Sequence, residues 1–424
     1  MKRAPLSLGL ALSLVAPAIW FRLMGIEMAK EGYLLLHGIH ESATWHPAVG
    51  IVVFGAGIVA AAFLISWACE LAQLEVSQSL ALATVALVSI LPEYAVDLYF
   101  AWTAATVPEN LDFALANMTG ANRLLVGLGW PLVGFLIYLK RRHHRVVLRH
   151  TQGPESLYLG IATIYCFFIV AKRSLSVLDT AFLFILFGFY IRFASRQKVL
   201  EPELMGAAAL IGGLPRRRRA SCTIAMFIYS GVGIFCCAEP FAESLVSGGK
   251  SLGIHPSYLV QWLAPLASEA PEFIIAVLLA ARGYASMGLG ILISSKVNQW
   301  SLLVGCVPLV YAIALLVHGQ DIAAMGLSQR QFGELLLTGA QSYFAVAVIL
   351  DLCFTLRDAV ALAVLFLAQL AFTITVESIC PQQVADPILY GEKLVFSAIY
   401  IIFGSYFLWQ NRWSLPGLSR RAFK

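Results

Sequence analysis

Long apolar stretches follow one another from end to end of this 424-residue chain, each close to the length that crosses a bilayer. A hydrocarbon core about 30 Å thick takes about 20 helical residues. It offers no water to exposed backbone groups, so a spanning segment must be a helix or part of a closed barrel. The stretches are continuous rather than short and alternating, which excludes the barrel. Only 12% of the residues are charged, where a soluble domain carries about 25%. The expectation is an all-α polytopic membrane protein.

About twelve transmembrane helices can be drawn, over 6–25, 47–67, 75–104, 111–138, 156–171, 177–195, 222–246, 255–281, 284–316, 333–351, 357–377 and 390–409. The first follows a basic start (Lys2, Arg3), but "AIWFRLMG" is no small-residue cleavage site, so it reads as a retained helix rather than a signal peptide. Basic clusters then orient the chain. Lys2 and Arg3, "KRRHHRVVLR" (140–149), "RRRR" (216–219), Arg282, Arg357 and the Arg412–Lys424 tail all fall on one face. By the positive-inside rule that face is cytoplasmic, with both termini inside a plasma or inner membrane. His143 and His144 share that basic loop, where contact with lipid headgroups is favoured over metal binding. Eight cysteines lie within or beside apolar runs with no C-x-x-C, as helix-packing residues do.

Two of the spans, 75–104 and 284–316, exceed what a bilayer needs, and each is expected to tilt or to break at midplane. Pro92 favours a break in the first, and the polar "SSKVNQWS" (Ser294 to Ser301) favours one in the second. The halves also repeat each other. "SILPEYAVDLYFAW" is followed by "ANMTGANRLLVGLGWPLV", and "ASEAPEFIIAVLLA" by "SSKVNQWSLLVGCVPLV". With the LLVG tetrapeptides aligned, Glu93 and Glu272 fall within one residue of the same spacing. The two Pro-Glu helices lie an odd number of spans apart, so the second copy enters the membrane upside down. Inverted repeats with broken helices at their interface are the architecture of secondary transporters.

A carboxylate at a helix centre costs roughly 2.5–3.5 kcal/mol even on insertion scales, and two that face each other repel. A transported cation would neutralise both. Pro92 and Pro271 free carbonyls in the preceding turn, and oxygen ligands suit hard cations such as calcium or sodium. Ser89 and Ser268 each stand one helical turn before their glutamate, as ligands or as ordinary back-bonded hydroxyls.

These residues resemble the sodium/calcium exchanger superfamily, whose two inverted repeats each carry a "T-S-x-P-E" kink and then a "G-S-N-I-F-N" segment. The resemblance implies two inverted five-helix repeats, at 47–195 and 222–377, joined by a basic cytoplasmic linker (196–221). An extra helix and loop (1–46) and a C-terminal helix and basic tail (378–424) flank them. It implies that Glu93 and Glu272 are the central ion-binding acids, with Ser89 and Ser268 before them, and that Asn117, Ser295 and Gln299 fall at ligand positions of the next helix. The chain also departs from the pattern. Ala121 replaces a ligand, and Asp97 and Glu269 add acids near the site. Arg123 and Lys296 add bases: Lys296 either stands in for a bound cation or balances Glu269 or Asp97, and Arg123 either pairs locally or snorkels.

The implied function is a secondary cation antiporter. It would exchange calcium or sodium against sodium or protons by alternating access, with inorganic cations and membrane lipids as its partners. The alternative is a transport-inactive member that serves as a membrane scaffold. No Walker motif, H-E-x-x-H or hydrolytic triad is present, so neither an enzyme nor a nucleotide-driven pump is expected. No cofactor and no nucleic acid are implied, and the oligomeric state is left open.

Overall fold

The computed structural model describes residues 4–30, 46–74, 91–148, 152–194, 204–253 and 255–412. The expected apolar segments are helices. In chain order they are α1 (Ala4–Lys30), α2 (Pro47–Ala72), α3 (Leu91–Thr103), α4 (Asn110–Arg141), α5 (Gly153–Lys172), α6 (Val177–Ala194), the short α7 (Ala207–Gly212) and α8 (Arg216–Leu252). After these come α9 (Pro256–Ser268), α10 (Ala270–Arg282), α11 (Ala285–Val317), α12 (Gln329–Ile349), α13 (Leu356–Ile379) and α14 (Gln382–Asn411). Among the described residues nine helices are long and apolar enough to cross a membrane, or ten if the bent α9–α10 pair is one span. Residues 75–90 of the third expected span, Ser89 among them, lie outside the described residues.

The chain divides into two compact units, Met1–Phe100 with Ile191–Pro271, and Ala101–Tyr190 with Glu272–Lys424. In the first, α2 packs along α8 and α1 covers both. Small residues let these backbones approach. A Cβ on Gly50 would stand 2.1 Å from the Ser244 hydroxyl, and one on Gly57 would stand 2.9 Å from both Cys237 and Ala18. Close packing of this kind holds helices together where lipid is as apolar as leucine. Across the same unit the Tyr99 hydroxyl donates to Glu243 at 2.9 Å, and Arg22 pairs with Glu239.

The second unit displays the inverted repeat directly. Strand β1 (Arg145–Val147), between α4 and α5, pairs antiparallel with β4 (Cys353–Thr355), between α12 and α13. In the other sense, β2 (Ser174–Leu175), between α5 and α6, pairs with β3 (Met325–Gly326), between α11 and α12. The helix-three-to-four connection of each copy therefore binds the four-to-five connection of the other. The LLVG glycines obey the same exchange. A Cβ on Gly127 would meet the Phe366 ring of α13 at 2.2 Å, and one on Gly305 would meet the Phe184 ring of α6 at 3.0 Å.

Local chemistry repeats as well. Arg173 and Leu352 both take the left-handed conformation, at φ 53° and 59°. Three residues further on, Ser176 and Thr355 each donate a backbone N–H to the carboxylate of Asp179 or Asp358, at 2.6 and 2.7 Å. This is a capping box or its near relative. One sequence offset relates all of these pairs and relates Glu93 to Glu272. The fold is thus an all-α membrane bundle built from two inverted repeats.

One expectation is corrected. The span 284–316 does not break: α11 runs without interruption through "SSKVNQWS". The break lies in the preceding span, where α9 and α10 meet at 55° about Glu269. Pro271 lacks an N–H and its ring crowds the turn before it, so the helix cannot run straight into it. The long helices instead absorb their irregularity as single π turns, at Leu125–Gly129 in α4 and Gln299–Leu303 in α11. In these turns Trp130 N–H donates to Leu125 O and Val304 N–H to Gln299 O, five residues back. The first copy has one residue more than the second between LLVG and the following proline, and its wide turn lies over that surplus.

Candidate functional site

Glu272 falls in the first turn of a helix, α10, that restarts at Ala270 with Pro271 second. Proline costs nothing there, because the first turn has no acceptor for its missing N–H. A carboxylate in that turn faces the positive end of the helix dipole. Glu93 likewise follows a proline, Pro92, in α3. Glu272 is half-buried and its Oε2 is fully enclosed, while Glu93 is 3% exposed.

The first unit buries Asp97 and Glu269 completely, and Ser268 almost so. Ser268 Oγ donates to Ala264 O at 3.2 Å and to Pro265 O at 3.4 Å. Here its hydroxyl is spent on carbonyls of its own helix, the plainer of the two roles open to it in the sequence.

The second unit holds Asn117, Ser295, Gln299, Lys296 and Arg123. Asn117, Gln299 and Lys296 are buried, and Ser295 is half-buried. Lys296 Nζ donates to both the main-chain oxygen and Oδ1 of Asn122, each at 3.1 Å, and stands 5.0 Å from the centre of the Trp300 ring. A fully buried ammonium thus meets two neutral oxygens of one residue and a π face, contacts of the kind a bound cation also makes. Sequence reasoning alone misses Asn122. Its signal there is only its place one turn after Met118, whose carbonyl takes its amide.

Arg123 is buried and pairs with other helices. Nη1 donates to Glu334 Oε2 of α12 at 2.7 Å, and Nη2 reaches Gln369 of α13. Glu334 Oε1 in turn accepts from Lys393 of α14 at 2.9 Å, and Gln369 donates to Thr373 at 2.8 Å. Glu392, beside Lys393, is buried too. Four helices thereby share one buried ionic cluster. Among the described residues, no three His, Cys, Asp or Glu side chains gather as a resident metal site.

Inverted repeats, a helix broken at a Pro-Glu pair, and buried polar residues in apolar helices define a secondary transporter of the membrane. The sequence matches the sodium/calcium exchanger protein family over residues 45–196 and 222–409, and the chain belongs to that family. The crystal structure of the H+/Ca2+ exchanger CAX is similar at 35% identity and a TM-score of 0.85, covering 99% of this chain and 98% of that one. The Ca2+/H+ antiporter protein YfkE shares the fold at 16% identity and a TM-score of 0.56, over 84% of this chain and 98% of that one. The sodium-calcium exchanger NCX_Mj does so at 14% identity and 0.51, over 77% and 98%. No curated protein sequence matches the chain. The protein is an integral membrane protein.

Proposed function

We propose that this chain is a secondary active antiporter that moves calcium across the membrane against protons, by alternating access around Glu93 and Glu272. The likeness to the H+/Ca2+ exchanger CAX over nearly the whole of both chains carries this reading. Each carboxylate holds either the metal ion or a proton. A site that carries neither is too costly to reorient across the bilayer, and this makes the exchange obligatory. Ser89, Ser268, Asn117, Ser295, Gln299, Asp97 and Glu269 supply or shape the remaining oxygen ligands. Lys296 supplies a fixed positive charge in the second repeat, which favours protons over sodium as the coupling ion. The repeats span 47–195 and 222–377, and both termini face the cytoplasm of a plasma or inner membrane.

Proteoliposomes carrying a pH-sensitive dye test the proposal. Addition of calcium should move protons in the opposite direction, sodium should do so weakly, and Glu93→Gln and Glu272→Gln should each abolish the signal. Unchanged flux in either variant would reject the mechanism. A wild-type protein that moves no ion and shows no cation-dependent stability would point to a membrane scaffold instead.

A further inference from the structure

A polar line unconnected with the two Pro-Glu motifs runs along one face of α11. Ser286, Gly290 and Ser294 follow one another at four-residue intervals and so share that face. The start of α5 seats on it. Gln152 Nε2 donates to Ser286 O at 3.0 Å, and a Cβ on Gly290 would stand 1.9 Å from that nitrogen, so only glycine leaves room for the amide. One turn further along α5 stands Glu155. Tyr190, near the end of α6, completes the group: its hydroxyl lies 2.6 Å from Ser294 Oγ and stands beside the Glu155 carboxylate. The Tyr158 ring meets Tyr190 edge to face at 5.8 Å and holds it in place.

Glu155 Oε2 is buried and accepts no hydrogen bond. An ionised oxygen in that position is costly, and the cost is removed when the carboxyl takes up a proton. Among the described residues, the ionisable groups at this end of the neighbouring elements include Tyr158 on the same helix, Tyr190 and Arg192 on α6, Lys296 on α11, and Arg145 and Asp351 in the β1–β4 connections. Of these, Tyr190 stands beside it.

We infer that Glu155 is a proton-binding site separate from Glu93 and Glu272, and that Tyr190 relays its state to Ser294 on the helix that carries Lys296. When Glu155 is ionised, the phenol hydrogen is drawn to the carboxylate. When Glu155 takes one proton from water, its O–H donates to the phenol oxygen, and the phenol hydrogen turns to Ser294. One proton is bound, no covalent bond breaks, and the hydrogen bond between α6 and α11 changes direction. Resting on the antiport reading, this makes exchange sensitive to pH at the end of the bundle where α5 begins and α6 ends.

Two measurements test the inference, the first of which needs no transport. In pH-difference infrared spectra of the purified protein, Glu155→Gln should remove one carboxylic-acid C=O band, and Tyr190→Phe should shift that band without removing it. In vesicles, both variants should flatten the dependence of calcium flux on pH at that face and leave the apparent calcium affinity unchanged. An unaltered infrared band pattern in Glu155→Gln would overturn the site. A lost band with an unaltered pH profile would overturn the relay. Glu155→Asp, which keeps the acid but shortens its reach, should keep a band and weaken the profile. Wild-type vesicles that move no protons would instead count against the antiport reading, and the infrared result would stand by itself.

Discussion

Lys296 and Asn122 join the two copies of the repeat: a single ammonium donates at 3.1 Å to both the main-chain and side-chain oxygens of one residue. Each partner stands shortly before a π turn, Asn122 before Leu125–Gly129 and Lys296 before Gln299–Leu303. The contact therefore pins together the two stretches of irregular backbone.

If the ammonium fills a cation position, its removal leaves buried oxygens unmet. Lys296→Ala should destabilise the protein by about 1–3 kcal/mol, the cost of stranding buried polar groups. Sodium in the medium should recover part of that loss. Thermal unfolding in detergent with sodium, and with choline as the control cation, provides the comparison. Equal midpoints in the two salts would show that no ion enters the space.

Glu334 bridges two cations, Arg123 at 2.7 Å and Lys393 at 2.9 Å. Its neutralisation removes the carboxylate that both cations bond and leaves Glu392 as the acid beside them. Glu334→Gln should cost about 3–5 kcal/mol, the penalty for breaking a buried pair, and more than Lys393→Met, which leaves Arg123 and Glu334 together. Unfolding midpoints of the two single variants and the double variant decide the order. The double variant should lose less than the two single losses combined, because the partners are coupled.

The exchanged glycine contacts differ in closeness, which sets an unequal pair of outcomes. Gly127→Ala drives a methyl to 2.2 Å from Phe366 and should cost about 1–3 kcal/mol through overpacking. Gly305→Ala meets Phe184 at 3.0 Å and should cost less. Phe366→Leu should restore much of the loss in Gly127→Ala and none in Gly305→Ala, as read by thermal unfolding.

The caps at the start of the fifth helix of each repeat should respond alike. Thr355→Ala removes a hydroxyl that accepts from Asp358 N–H and should lower stability by about 1 kcal/mol. Replacement of Asp358 or Asp179 should cost more, because each carboxylate accepts from a backbone N–H and from a hydroxyl. Hydrogen exchange at the first turns of α6 and α13 locates the effect.

The helices can be read from the sequence because in lipid the backbone has no other way to satisfy itself, so apolar length alone sets the element. The inverted repeat is legible because its Pro-Glu pair and its LLVG are local words. Partnerships are not. Arg123 meets Glu334 and Gln369 on helices far away in the chain, and one charged letter in an apolar run shows that a partner must exist without saying which. Glu155 and Tyr190 pass unremarked because each lies near a span end, where an acid or a phenol usually meets water. The polar letters of "SSKVNQWS" look like an interruption, which makes a break in that span an alternative to a tilt. They belong instead to a helix that runs on, buried from Lys296 to Ser301, and proline geometry places the bend at Glu269.

A π turn is an α-helix that has taken in one amino acid without rotating the turns beyond it, whereas an insertion in a regular stretch would swing every later side chain by about 100°. The surplus residue before Pro131 is thus taken up within the wide turn, and Trp130 and its successors keep their aim. Excision of Leu128 should accordingly return an ordinary helix with the same downstream phase, whereas loss of a residue from regular helix, such as Ala114, should misdirect the remainder of α4.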